Sequence, residues 1–573
     1  MPAYLLEQTA PQEDTQEKRK RLKREIEGYT GAGAVYRRRI RRFMEEHGIW
    51  RIEELDYSWR LLFAEELHGT VKTRYHSFYL KCFDHIRQYD MRRQVRLQVS
   101  RKNQRYPYED SLLFLPYHPV QELVQRLDAC PERPEWVWDF SRKAPEKMKR
   151  QIFDILNHFL EEDRDGKLLR DHLKRLWRFY QFCLNAQVED IEQMGLEQTM
   201  DYQKQVMEEG QPKAAGIIDT CRRILFLQAK EINWDADVWY LERLCLQPER
   251  MDPSNPVVSL SFTEVTHDGN RKLLKKYMRY GLGLTDLSLR YLRGEFIEIR
   301  SFLKELQQDA CTMTEDEIRD YIQGLQQQHI KPETFNRRIM SLQHFYHFLQ
   351  ARKYVDRVPF HADYYLKKTL PQHHDRSVEE KTADEILQKL HRFPEKLRLM
   401  YLHLWGIGLR VSEVCTLKGN AYYIQGRDTW IQVYQIKMKT YKRIPIPAAV
   451  YQLMQVYLKK HRIAADSYIF QNTHGGAYHS GTFRSQMVKC CRELGIQGGE
   501  YMFQSHDYRH GVATYFYDSG VSIQGVRDYL GHAYEEMTRQ YIDYMPDKLD
   551  RSNKEFFTKP GNSLMARLKE GDA

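Results

Sequence analysis

The sequence predicts a mainly α-helical, multidomain chain with a small antiparallel β-sheet, and three observations carry that reading. Apolar residues recur at three- and four-residue spacing, as at Leu168, Leu169, Leu173, Leu176, Trp177, Tyr180 and Phe182, which puts them on one helical face. Thr429 to Pro447 instead alternates apolar and polar residues through TWIQVYQIKMK and YKRIPIP, the period of a β-hairpin. The length of 573 residues corresponds to three or four domains of roughly 100–200 residues each.

Composition narrows the class. A formal charge of +10 and a pI near 8.9 favour a polyanionic partner. The nine cysteines form no Cys-x-x-Cys pair, which fits reduced thiols and argues against a disulfide framework or a zinc site. The first 21 residues lack the apolar core of a signal peptide, and no run of about 18 apolar residues occurs. The expectation is a soluble cytoplasmic protein without a membrane partner.

Residues 1–165 form a basic, helical N-terminal region of unassigned function. Eleven Lys or Arg residues lie between Lys18 and Arg42, against Glu25 and Glu27. They suit either phosphate binding or the solvated face of a helix. A helical unit is expected over 166–265 and a second over 285–362. The first carries FLQAK at Phe226–Lys230 and the second FLQAR at Phe348–Arg352, with Tyr202 and Tyr321 ahead of them. They read as related units, the alternative being chance similarity of two amphipathic helices. Thr314 and Glu317 have capping-box spacing, and Thr382 and Glu385 share it. Residues 363–381 read as a linker and 382–556 as a further domain, followed by a tail over 557–573.

Within that domain, Gly406 and Gly408 loosen the backbone before Arg410. Ser522 caps a helix that Gly531 ends, leaving His532 in a turn. His506, Arg509, His532 and Tyr541 follow one another in a single 41-residue stretch, Ser505 to Met545. Tyrosine is a weak nucleophile at neutral pH, with a pKa of roughly 10. Beside cations that neutralise a phosphodiester, it becomes a plausible attacking group.

Arg410 in GLRVSE, Lys439 in the hairpin, HDYRH at 506–510, LGH at 530–532 and Tyr541 together resemble the tyrosine recombinase (phage integrase) family, in order and in spacing. The resemblance covers about 285–556, and the added N-terminal length is similar to that of large transposon-encoded transposases and integrases. It implies a core-binding domain at 285–362, a catalytic domain at 382–556 and a possible core-binding-like repeat at 166–265. Tyr541 is then the nucleophile, forming a 3′-phosphotyrosyl ester, with Arg410 and Arg509 clamping the phosphate. Arginine suits that task because its planar fork donates two parallel hydrogen bonds and stays ionised. His532 is expected to donate to the phosphate as well, and His506 to assist proton movement. Lys439 is expected to protonate the leaving 5′-oxygen, with Lys437 second choice and Lys442 third. Glu413 is read as a support that pairs with a neighbour, and His510 as a buried histidine. Tyr544, Tyr534 and Tyr529 compete with Tyr541, which its nine-residue distance from His532 selects.

No phosphate-binding glycine loop or acidic two-metal cluster is visible, so neither a cofactor nor a metal is expected. The partner implied is double-stranded DNA, held in a C-shaped clamp by four protomers on paired sites, possibly with other recombinases of the same element. That places the protein on the bacterial nucleoid when bound. Two other functions stay open: a type IB topoisomerase-like nicking-closing enzyme, and a non-catalytic DNA-binding or architectural protein.

Overall fold

A computed structural model describes residues 15–55, 57–98, 112–115, 121–127, 136–140, 142–162, 165–369 and 377–539. The fold is mainly helical with small antiparallel sheets, and divides into two compact units. One comprises residues 1–243 and 259–266, the other 244–258 and 267–573. Among the described residues no helix is long and apolar enough to cross a membrane.

The N-terminal unit begins with four helices, α1 (Thr15–Glu27), α2 (Ala34–Glu46), α3 (Tyr57–Thr70) and α4 (His76–Gln98). Leu22, Ile26, Ile40, Phe43, Phe63, Phe83 and Ile86 close them over a core of their own. A short pair, β1 (Leu112–Phe114) and β2 (Val137–Asp139), precedes a second helical group: α5 (Glu146–Glu161), α6 (Gly166–Asn185), α7 (Leu196–Glu208) and α8 (Ile217–Gln228). The unit ends with β3 (Val238–Tyr240) paired to β4 (Ser259–Ser261).

The other unit opens with α9 (Asp268–Leu284), α10 (Leu289–Glu305), α11 (Glu315–Gln327) and α12 (Pro332–Ala351). These four reproduce contacts of α5 to α8 at separations of 119 to 124 residues. Asp190 and Asp309 each cap a 3₁₀ turn, accepting from the N–H two residues on at 2.9 and 2.8 Å. Gln151 on α5 and Asn270 on α9 each accept the first N–H of that turn, at 2.9 and 2.8 Å. From the fourth helix, Arg222 and Tyr346 each donate to the turn's first carbonyl, at 3.2 and 3.0 Å. Tyr202 packs edge-on against Phe179, and Tyr321 against Phe302, at 5.1 and 4.8 Å. The pattern therefore begins at α5 and α9, one helix N-terminal to the units expected from residues 166 and 285.

After residues 377–379 come α13 (Glu380–Lys389), α14 (Glu395–Ile407) and α15 (Val411–Cys415). A three-stranded sheet follows: β5 (Tyr422–Gln425), β6 (Asp428–Gln435) and β7 (Thr440–Pro445), in the order β5–β6–β7. Then come α16 (Ala448–His461), α17 (Ser480–Glu493), α18 (Ser505–Asp518), α19 (Ile523–Leu530) and α20 (Glu535–Arg539). Leu397, Met400, Leu404, Ile431, Ile444, Met487 and Phe503 are fully or nearly fully buried in their common core. Tyr508 joins it, its ring edge-on to Tyr401 at 5.1 Å and its hydroxyl 3.1 Å from that of Tyr501.

The capping box at Thr314 and Glu317 forms, but the one expected at Thr382 and Glu385 does not. There α13 begins earlier, at Glu380, so Thr382 lies inside the helix. Its hydroxyl accepts from Gln497 at 2.6 Å, and Glu385 is taken by the Gln497 N–H and by Lys389. A tertiary contact has claimed both capping groups.

Candidate active site

Gly408 ends α14 in the left-handed region at φ +70°, and a β-carbon there would stand 3.0 Å from Val512. The sharp exit turns the chain so that Arg410 caps α15. Arg410 donates from Nη1 to Glu413 Oε1 at 2.8 Å, while Glu413 Oε2 accepts the Arg410 backbone N–H at 2.9 Å. Glu413 is buried and is the hub of the site. Lys442 Nζ lies 3.3 Å from its Oε2, and Arg509 Nη1 lies 3.9 Å away. These cations outweigh burial and hold the Glu413 carboxyl at about 2, although burial is the largest single influence and acts upward. A buried charge persists only when it is paired in this way.

Arg509 comes from the second turn of α18 and is fully buried. It donates to the carbonyls of Gly408 at 2.8 Å and Leu530 at 2.6 Å, and lies 3.0 Å from His532 Nε2. Since arginine has only donors, Nε2 accepts here, and Nδ1 then carries the proton toward Thr538 Oγ1 at 3.0 Å. Burial first, then Arg509, Arg410 and Lys442, lower the His532 pKa to about 3. His532 is thus neutral, with Nε2 facing Arg509 and Nδ1 facing Thr538.

The hairpin supplies the rest. The burial of β7 alternates, so Lys442 points inward with Ile444 while Tyr441 and Arg443 point out. Burial lowers the Lys442 amine to about 8, with Glu413 opposing, and it also donates to the Leu530 carbonyl at 3.4 Å. Lys439 is exposed on the turn between β6 and β7, at φ +52°, and Lys437 is exposed on the same turn. The structure therefore gathers Arg410, Arg509, His532 and Lys442 around Glu413, and leaves Lys439 outside that set of contacts. His506 is exposed on the first turn of α18, its ring 5.2 Å from that of His510, which is buried. Tyr541 and Tyr544 lie outside the described residues. Of the other competitors, Tyr534 is exposed, and burial pushes the Tyr529 hydroxyl up to about 12.

Two residues were missed by the sequence reading. Gln435, the last residue of β6, sends its amide to Glu413 and to the Leu530 and Gly531 carbonyls at 3.3–3.4 Å. Thr538 fixes the His532 tautomer. Neither follows a motif, but Lys442 shares the parity of Ile444 and Ile446 along its strand, and that period-of-two signal was available.

A sequence profile of the phage integrase family matches residues 376–547, the segment that contains all of these groups. This segment is similar to a phage integrase domain. Over 342 residues the chain is 28% identical to transposase B from transposon Tn554 of Staphylococcus aureus, covering 57% of this chain and 53% of that one. It is 23% identical over 291 residues to the tyrosine recombinase XerC of Oceanobacillus iheyensis, covering 48% of this chain and 91% of that one. The chain thus spans about half the length of the transposases it matches first. Among solved structures it is similar to a lambda integrase dimer bound to a COC′ core site, at 18% identity and TM-score 0.38, covering 48% and 76% of the two chains. It is also similar to the Tn1549 transposon integrase in complex with circular intermediate DNA, at 16% identity and TM-score 0.38, covering 49% and 98%. The matched segment runs from just before α13 to beyond α20, so the hub and all its partners fall inside it.

Proposed function

We propose that the protein is a site-specific DNA recombinase, the transposase or integrase of a mobile element, that breaks and rejoins strands through a 3′-phosphotyrosyl ester. The observation that carries this is the convergence of Arg410, Lys442 and Arg509 on one buried carboxylate, from the start of α15, β7 and α18, with His532 bound to Arg509 from the turn after α19. The excess positive charge suits a site that receives an anion.

In this reading Arg410, the most open of the cluster, and Arg509 behind it offset the charge on the non-bridging oxygens, which otherwise repels a phenolate. Tyr541 attacks phosphorus and the 5′-oxygen leaves. The bond energy is kept in the ester, so religation needs no nucleotide. His532 is bound to Arg509 and orients it; when the guanidinium turns to the phosphate its Nε2 lone pair is released, and it donates there only after taking up a proton. His506, exposed at the start of α18, assists proton movement. We assign the leaving-group proton to Lys439, whose amine is exposed on a hairpin turn, and give Lys442 the separate task of balancing Glu413. The helical domain at 268–351 is the second half of a clamp on duplex DNA, and tetramers form on paired sites.

The test is covalent capture on a nicked suicide substrate. Tyr541→Phe removes the protein–DNA adduct and Tyr544→Phe keeps it. Adducts that persist in Tyr541→Phe exclude the assignment. Size measurement on a paired-site substrate separates a tetrameric recombinase from a monomeric topoisomerase.

A further inference from the structure

The N-terminal unit carries strong charge that the proposed reaction does not use, and that charge is unevenly spread. Residues 15–98 hold 20 Lys or Arg against 12 Asp or Glu, a net of +8. Residues 146–243 hold 15 against 19, a net of −4, despite sharing their contact pattern with 268–351, where 13 stand against 11. A polyanion therefore has reason to meet α1–α4 and not α5–α8.

Within α1–α4 the two basic helices differ. On α2 four of the five arginines have partners in the protein, Arg39 and Arg42 at its surface. Arg37 donates to the Glu27 and Tyr29 carbonyls, Arg39 to Thr70, and Arg41 and Arg42 pair with Glu45 and Glu46. On α1, Leu22 and Ile26 face the core while Arg19, Lys20, Lys23 and Arg24 are exposed. Arg19 and Lys20 meet no carboxylate among the described residues, and Lys23 reaches Glu27 only at 3.9 Å, with both side chains more than half exposed. A pair so open contributes little.

We propose that the outer face of α1 is a second contact with the backbone of duplex DNA, separate from the integrase-like domain. The proposal rests on the reading that the chain acts on DNA. At a rise of 1.5 Å per residue, Arg19 to Arg24 spans about 7.5 Å, about two phosphate steps of one strand, which recur every ~3.4 Å of duplex axis. The outer face of α1 carries no apolar residue to enter a membrane and no aromatic residue to stack an unpaired base. That leaves the phosphate backbone of a duplex as the fitting ligand.

The experiment uses the full chain, a 60-base-pair duplex and a salt titration of binding. Changing Arg19, Lys20, Lys23 and Arg24 together to Gln is expected to lower the slope of log affinity against log salt by about 2 to 4, since each phosphate contact contributes roughly 0.9. A charge-matched control, Arg142, Lys143, Lys167 and Lys174 to Gln, is expected to change it by less than about 1. Equal slopes in the two variants overturn the proposal, as does tighter binding of a single-stranded RNA of the same length. Glutamine keeps helix propensity, and the pair Arg19→Gln, Lys20→Gln serves should the fourfold variant unfold, with a slope change of about 1 to 2 expected. Adduct formation on a short suicide substrate at low salt is expected to stay within about twofold. A wild type that forms no adduct but keeps the α1-dependent slope leaves this proposal standing and removes the recombinase reading.

Discussion

Glu413 and Arg410 are joined twice, by a 2.8 Å bond between carboxylate and guanidinium and by a 2.9 Å bond from the arginine's own backbone N–H. The carboxylate thus fixes both the start of α15 and the direction of the side chain most open to a phosphate. The same group answers Lys442 and Arg509 from elements more than 25 residues away in sequence. Replacing it by glutamine leaves buried cations without their counter-charge. Breaking a buried pair costs about 3–5 kcal/mol, so Glu413→Gln is expected to lose hydrogen-exchange protection across α15 and α18 and to form little covalent adduct. Adding Lys442→Met is expected to restore part of the protection. Full protection in the single variant excludes Glu413 as the hub.

His532 gives the site a pH signature. Its pKa falls from roughly 6.5 when unfolded to about 3 in the fold, so the unfolded chain binds more protons between those values. Stability therefore declines as pH drops below 6.5, by up to about 1.4 kcal/mol per unit. His403, buried and lowered to about 4, acts in the same direction. Exchange protection of α18 and α19 is expected to fall between pH 6.5 and 4.5, and His532→Gln to show about half that dependence. An unchanged slope in His532→Gln places the titration elsewhere.

Much of this was legible in the chain. The hairpin announced itself by period, the Thr314 cap by spacing, and Arg410, Arg509 and His532 by motif and order. What stayed hidden is of another kind. Gln435 reaches Glu413 and the end of α19 across intervals of 22 and 95–96 residues, and no local rule links residues so distant. Thr382 shows the reverse case. Its local signal was correct chemistry, but Gln497, 115 residues on, holds the hydroxyl.

Gly531 ought to be irreplaceable for two separable reasons. Its φ of +69° disfavours any β-carbon, and a β-carbon built there meets the Gln435 amide at 2.3–2.7 Å. Gly426, between β5 and β6, has φ +64° with nothing within 4 Å. Gly426→Ala is expected to cost only the backbone term, about 1–2 kcal/mol. Gly531→Ala is expected to cost that and the Gln435 contacts, about 1–3 kcal/mol more, with loss of adduct formation. Equal losses in the two variants would mean that Gln435 moves aside freely.

The hairpin lysines offer the finest test of the chemistry. Lys442 is tied to Glu413 and to the Leu530 carbonyl, while Lys439 is exposed on the turn three residues before it. A 5′-sulfur leaving group departs without a proton, so it restores cleavage to an enzyme that lacks only its general acid. Lys439→Ala is expected to lose about 10²- to 10⁴-fold in cleavage of the normal substrate, the usual range for general acid catalysis, and to recover on the sulfur substrate. Lys442→Ala is expected to stay slow on both, because its loss leaves Glu413 undercompensated and disturbs Arg410 and Arg509. Rescue of Lys442→Ala with none for Lys439→Ala would reverse the two roles and make the buried amine, already lowered to about 8, the proton donor.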